Sequence, residues 1–113
     1  MSAYLFTFRS PDNYAPGSGT FEEWCRWQLE LGARLMDRGD PAFTAAAVGA
    51  GAAGTTLGGY SVIRATSLGA AVGIARGCPI LRHGGGVGIG ELASHGERFD
   101  RWLAGQFGKD GRS

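Results

Sequence analysis

His83 and His95 are the only two side chains in this sequence whose ordinary titration falls near neutral pH. His83 stands in Arg82-His83-Gly84-Gly85-Gly86, a glycine-rich stretch that would let a ligand approach an imidazole acting as acid or base. The commoner meaning of such a residue is a solvated loop histidine. His95 falls in the first turn of an expected helix and reads as a surface group. Cys78 is a second candidate for catalysis, as a nucleophile. It follows an expected helix end, whose partial negative charge disfavours the thiolate, so a packed, inert thiol is the plainer reading. Cys25 lies in an apolar stripe and reads as core. Gln28 interrupts the same stripe, and a buried amide there would bind a carbonyl or hydroxyl. Trp24, Trp27 and Tyr60 are large enough to wall a pocket, although aromatic residues at helical spacing more often build the core. Arg9 and Arg64 sit toward strand ends, where a guanidinium can clamp an anion. Most arginines are simply solvated. Gly88 and Gly90 share one face of an expected strand, and their missing side chains would enlarge a cavity. Close backbone approach by a partner subunit would use them equally well.

No metal ligand pattern is present: there is no Cys-x-x-Cys, no His-x-x-x-His and no carboxylate cluster. The run Gly84-Gly85-Gly86 precedes a strand, whereas dinucleotide binding needs a strand before the glycines and a helix after them. No cofactor is therefore expected.

The elements that must position these residues follow from periodicity. Tyr4 to Arg9 alternates Tyr4, Phe6 and Phe8 against Leu5 and Thr7, a strand apolar on both faces. Ser10 to Gly19, with Pro11, Asp12, Asn13, Pro16, Gly17 and Gly19, reads as a loop. Thr20, with Glu23 three residues on, matches a capping box and opens a helix expected to run to Arg38 and stop at Gly39. Its apolar stripe reads Phe21, Trp24, Cys25, Gln28, Leu31, Gly32 and Leu35. Phe43 to Val48 is a weak second strand, followed by a flexible Gly49 to Gly54 connection. Tyr60 to Ala65 is a third strand, and Ser67 caps a short helix that Gly77 and Pro79 end. Val87 to Leu92 is the last strand. A final helix starts at Ser94, with Phe99, Trp102, Leu103 and Phe107 on one face. The order β-α-β-β-α-β plus a helix fits a ferredoxin-like split βαβ unit. The helices would cover one sheet face and leave the other bare, which predicts a homodimer with sheet facing sheet.

The bulk properties agree with one domain over residues 1–113, of which 93–113 form a helical extension. The chain has 113 residues, 43% apolar and 19% charged, with a net charge of +1. Eleven basic and ten acidic residues are scattered. A nucleic-acid binder would show a basic stripe, so no nucleic acid is expected. No apolar run approaches a membrane span of about 20 residues, so no membrane partner is expected either. Met1 to Arg9 lacks a basic start followed by a long apolar run, and two distant cysteines read as free thiols, so a cytoplasmic location is expected.

Several stretches carry a family resemblance. Gly58-Gly59-Tyr60-Ser61-Val62-Ile63, Ser67-Leu68, Ala70-Ala71-Val72, Ala75-Arg76-Gly77-Cys78-Pro79 and Gly85-Gly86-Val87-Gly88-Ile89-Gly90-Glu91-Leu92 are similar, in order and spacing, to the YCII-related family. Tyr4-Leu5-Phe6 and the tryptophan-bearing first helix also fit, so that residues 3 to 92 resemble it. The resemblance implies a dimeric α+β barrel of two ferredoxin-like sheets. It also implies a small organic ligand, with a cofactor-independent lyase, isomerase or cyclase as the leading activity. A non-catalytic binding or regulatory homodimer and a cofactor-free monooxygenase on an aromatic substrate are the alternatives. Elimination-type members carry a His on the first helix and an Asp before the Pro that follows the second helix. Here Phe21 to Arg38 holds no His, and Cys78 precedes Pro79. The Asp-Gly-Pro-Phe motif of another branch is absent from Gly49 to Thr56.

Overall fold

The computed structural model describes residues 1–12, 14, 18–43, 45–49, 54–93 and 95–108. Among them the chain forms strand β1 (Ser2–Pro11), helix α1 (Ser18–Leu31), strand β2 (Leu35–Asp37), strand β3 (Thr55–Ala65), helix α2 (Leu68–Ala75), strand β4 (Gly86–Glu91) and helix α3 (His95–Gly108). Short 3-10 turns at Gly32–Arg34 and Pro79–His83 follow α1 and α2. This is a mixed α+β arrangement around one antiparallel sheet in the order β2-β3-β1-β4.

The central strand β1 explains why the sheet has two unlike faces. Tyr4, Phe6 and Phe8 are buried, and the register sets Phe6 opposite Ser61 and Ile89, and Phe8 opposite Gly59 and Val87. Side chains alternate along a strand, so Ile63 and Ala65 join this face while Leu5, Thr7, Tyr60, Val62, Gly88 and Gly90 take the other. The core lies on the first face, under Trp27 and Leu31 of α1 and Ala71 and Ala75 of α2. Phe6 and Ile63 are fully buried there. Each such side chain contributes roughly 1.5–3 kcal/mol through burial. Phe8, Trp24 and Trp27 meet edge to face, with ring centroids 4.7 to 6.0 Å apart. Buried Ser61 donates to the Arg38 carbonyl at 2.7 Å, which satisfies its hydroxyl.

Helix α1 departs from the sequence expectation in two ways. It ends at Leu31 rather than Arg38, because Gly32 takes φ 55° in the left-handed region. The residues beyond then extend as β2, pairing Leu35 with Ile63 and Asp37 with Val62. The second strand is therefore not Phe43 to Val48; Phe43 and the described residues 45–48 are exposed and carry no strand. The buried stripe is also rotated. Trp27 and Leu31 are buried and Trp24 packs against the core, whereas Phe21 and Cys25 are exposed. The two tryptophans and Leu31, at i, i+3 and i+7, offer more apolar area to Phe8 than a stripe centred on Cys25.

Other expectations hold with adjusted ends. β1 and β3 are longer than the alternating cores that signalled them. Ser67 caps α2 by accepting from the Ala70 N–H at 3.0 Å. Gly77 and Pro79 follow the helix end as read. The proposed cap at Ser94 and most of the Gly49 to Gly54 connection lie outside the described residues. No helix among the described residues is long and apolar enough to cross a membrane.

Candidate functional site

Pro79 starts the 3-10 turn after α2, and Gly84, at φ 82°, ends it. The turn thereby delivers Arg82 and His83 to the flank of α1. Glu23, one turn into α1, meets both. His83 Nε2 lies 3.2 Å from Glu23 Oε1, and Arg82 donates to Glu23 Oε2 through Nε at 3.1 Å and Nη2 at 2.5 Å. Each carboxylate oxygen is thus engaged by a different donor. The hydrogen bonds from Arg82 and His83, in that order, hold the Glu23 carboxyl below its usual range. In the neutral tautomer that donates Nε2–H to this carboxylate, the lone pair stands on Nδ1. That is the arrangement of a general base whose tautomer is set from behind. His83 is about one-third exposed, so a small molecule can reach it.

Tyr14 adds a second polar group. Its ring centroid is 5.6 Å from that of His83, and its hydroxyl is buried with no hydrogen-bond partner among the described residues. A buried hydroxyl left unpaired is costly, and it is a ready donor to a ligand oxygen. On the far side of Glu23, a cleft of about 430 Å³ runs between α1 and the end of α2. Glu23, Arg26, Arg34 and Arg82 edge it, and Trp27, Ile74 and Pro79 supply apolar wall. Arg34 is partly committed, because it donates to the Leu31 and Glu30 carbonyls at the end of α1. Among the described residues no three His, Cys, Asp or Glu side chains gather in a way that could hold a metal ion.

The residues singled out from sequence fall into two groups on opposite faces of the sheet. His83, Trp24 and Gln28 lie on the helix side, Trp24 and Gln28 half-buried on α1. Cys78 is there too, but it is only 1% exposed, and burial pushes its thiol up to about 11. It is a protonated packing group at neutral pH, not a nucleophile. Tyr60, Gly88 and Gly90 lie on the open face, where Tyr60 is 39% exposed. Arg9, at the end of that face, donates to the Thr55 hydroxyl at 2.8 Å and the Thr55 carbonyl at 3.1 Å. It lines a small recess of about 150 Å³ with Ala45 to Ala47 and Leu57. A single chain therefore does not bring these eight residues into one constellation.

Sequence reasoning missed Glu23, Arg82 and Tyr14. Glu23 was accounted for as half of a capping box with Thr20. In the structure α1 begins at Ser18, and the Glu23 carboxylate turns to the 3-10 turn instead. A signal was available, since Glu23 shares the inward side of α1 with Trp27 and is only half-exposed. Its partner lies 60 residues away, which no local pattern reveals.

Compared with known proteins, the chain matches no family model, no curated protein and no solved structure.

Proposed function

We propose that this chain is a YCII-related small-molecule-binding protein, and that it catalyses a cofactor-independent proton abstraction leading to elimination, isomerisation or cyclisation. The Glu23–His83 pair at 3.2 Å carries this reading. His83 Nδ1 takes a proton from carbon, Glu23 steadies the imidazolium that forms, and the electron pair left behind makes the new double bond as the leaving group departs. The Tyr14 hydroxyl serves as donor to a developing oxyanion. The reacting carbon sits on the Tyr14 side of His83, away from Glu23, while the cleft edged by Glu23, Arg26 and Arg82 lies behind the pair. The order β2-β3-β1-β4, antiparallel throughout and with α1 and α2 over one face, supports a ferredoxin-like βαββαβ fold. The open sheet face supports a homodimer of the dimeric α+β barrel kind.

The test is hydrogen exchange. The full chain is incubated in heavy water with carboxylic acids and ketones that carry acidic C–H bonds, and loss of proton signal is followed by NMR. Enzyme-dependent exchange is expected to fall at least about a hundredfold in His83→Ala and to drop in Glu23→Gln. Exchange that is unchanged in His83→Ala would sink the assignment.

One observation favours a non-catalytic binding dimer instead. The space between sheet and helices is filled by Tyr4, Phe6, Phe8 and Trp27. On that reading His83→Ala binds the same compounds as the wild type, and no exchange is seen with either.

A further inference from the structure

One face of α1 lines the cleft beside the end of α2. Glu23, Arg26, Trp27, Glu30 and Leu31 recur there at helical spacing, and Arg34 follows just past the helix end. Ile74, Gly77 and Pro79 form the opposite side. The Glu23–His83 pair turns its reacting side toward Tyr14, so this cleft has no part in the chemistry proposed above.

The charge of the cleft is unbalanced. Three guanidiniums face two carboxylates. Glu23 is already engaged, with Arg82 on one oxygen and His83 on the other. Arg82 uses Nε and Nη2 there and keeps Nη1. Arg34 uses the same two nitrogens on the Leu31 and Glu30 carbonyls. Arg26 has no hydrogen bond or ion pair among the described residues, and the Glu30 carboxylate pairs with neither Arg26 nor Arg34.

A solvated arginine means little by itself. The second observation is a buried donor. Trp27 is 6% exposed, yet its indole N–H has no acceptor among the described residues. Gly77 explains where that N–H looks. A side chain at Gly77 would begin 3.3 Å from Trp27 Nε1, and having none leaves the N–H open to the cleft. The N–H is not sealed off, unlike the Tyr14 hydroxyl. An indole N–H only donates, so what it lacks is an acceptor. A buried donor left unpaired is costly. The volume of about 430 Å³ lies within the range of about 300–1,000 Å³ that small-molecule sites occupy.

We propose that the α1–α2 cleft binds a small organic carboxylate with an apolar body. Trp27 Nε1 and Arg26 hold the carboxylate, Arg82 adds charge through Nη1, and the body lies on Ile74 and Pro79. An inorganic anion would leave the apolar wall bare, and a neutral ligand would leave Arg26 unanswered. This site is separate from the Glu23–His83 pair and stands whether or not His83 is a base.

The test is a heteronuclear NMR titration of the full chain, followed at the Trp27 indole N–H, with circular dichroism confirming the fold of each variant. The probes are phenylacetate, acetate and 2-phenylethanol. Phenylacetate is expected to move the Trp27 signal and to bind at least about tenfold tighter than either of the others. Arg26→Gln, at an exposed position, is expected to weaken phenylacetate at least about tenfold. Gly77→Ala sets a methyl over the indole N–H and is expected to weaken it as well. Glu30→Gln removes an unpaired carboxylate and is expected to tighten it. Tyr14→Phe, which touches only the other site, is expected to leave it unchanged. A Trp27 signal that does not move would overturn the site. So would acetate or 2-phenylethanol binding as tightly as phenylacetate, an affinity unmoved by Arg26→Gln, or one lost equally in Tyr14→Phe.

Discussion

At the scale of single residues, the electrostatics of Glu23 give a signed pH prediction. Its folded carboxyl titrates below the usual range because Arg82 and His83 hold the anion. The contribution is complete above the unfolded carboxyl value and is lost as pH falls through the folded one. Arg82→Ala should therefore move the Glu23 titration upward in a carbon-detected NMR experiment, and Glu23→Gln should flatten the acid side of the stability profile. Cys78 has the opposite sign. Its folded thiol keeps its proton up to about 11, so the contribution from its burial is full at neutral pH. That contribution declines as pH rises from the ordinary thiol value through about 11. The two cysteines should also separate chemically. Exposed Cys25 should react with a thiol reagent in the native protein, and Cys78 only after denaturation. Equal labelling of both in the native state would contradict the packing described.

At the scale of elements, glycine positions make opposite predictions. A side chain at Gly39, where φ is 70°, would lie 1.8 Å from the Tyr60 carbonyl oxygen. Gly39→Ala should cost roughly 2 kcal/mol or more, read from denaturant midpoints, because it forces the segment after β2 off β3. Gly73 sits inside α2 with nothing within 4 Å of a substituent. Gly73→Ala should stabilise by about 0.5–1 kcal/mol. The same elements show what sequence reading can reach. β1, β3 and β4 declared themselves because alternation survives on a sheet with one buried face. Ser67 announced α2 because a capping hydroxyl is a local device. β2 was invisible, since a three-residue edge strand is shorter than any period it could display. Its residues continued an apparently helical run until Gly32 turned the chain. The candidate site was half readable for a related reason. His83 stood out by type and setting, but its carboxylate came from α1, and only the packing of the 3-10 turn on that helix joins them.

At the scale of the whole molecule, the chain is too extended for a lone compact domain. Its radius of gyration is 17.8 Å, where about 13 Å is expected for a compact chain of this length. Large apolar side chains stand exposed on it, Phe43 and Val48 after β2 and Phe99 and Trp102 on α3. In the homodimer proposed above, a second copy would cover the sheet face and leave the Glu23–His83 pair, on the helix side, outside the interface. The mass of the full chain in solution tests this most directly. Sedimentation equilibrium across a dilution series should give twice 11.8 kDa at micromolar concentration. A single species of 11.8 kDa throughout that range would contradict the account.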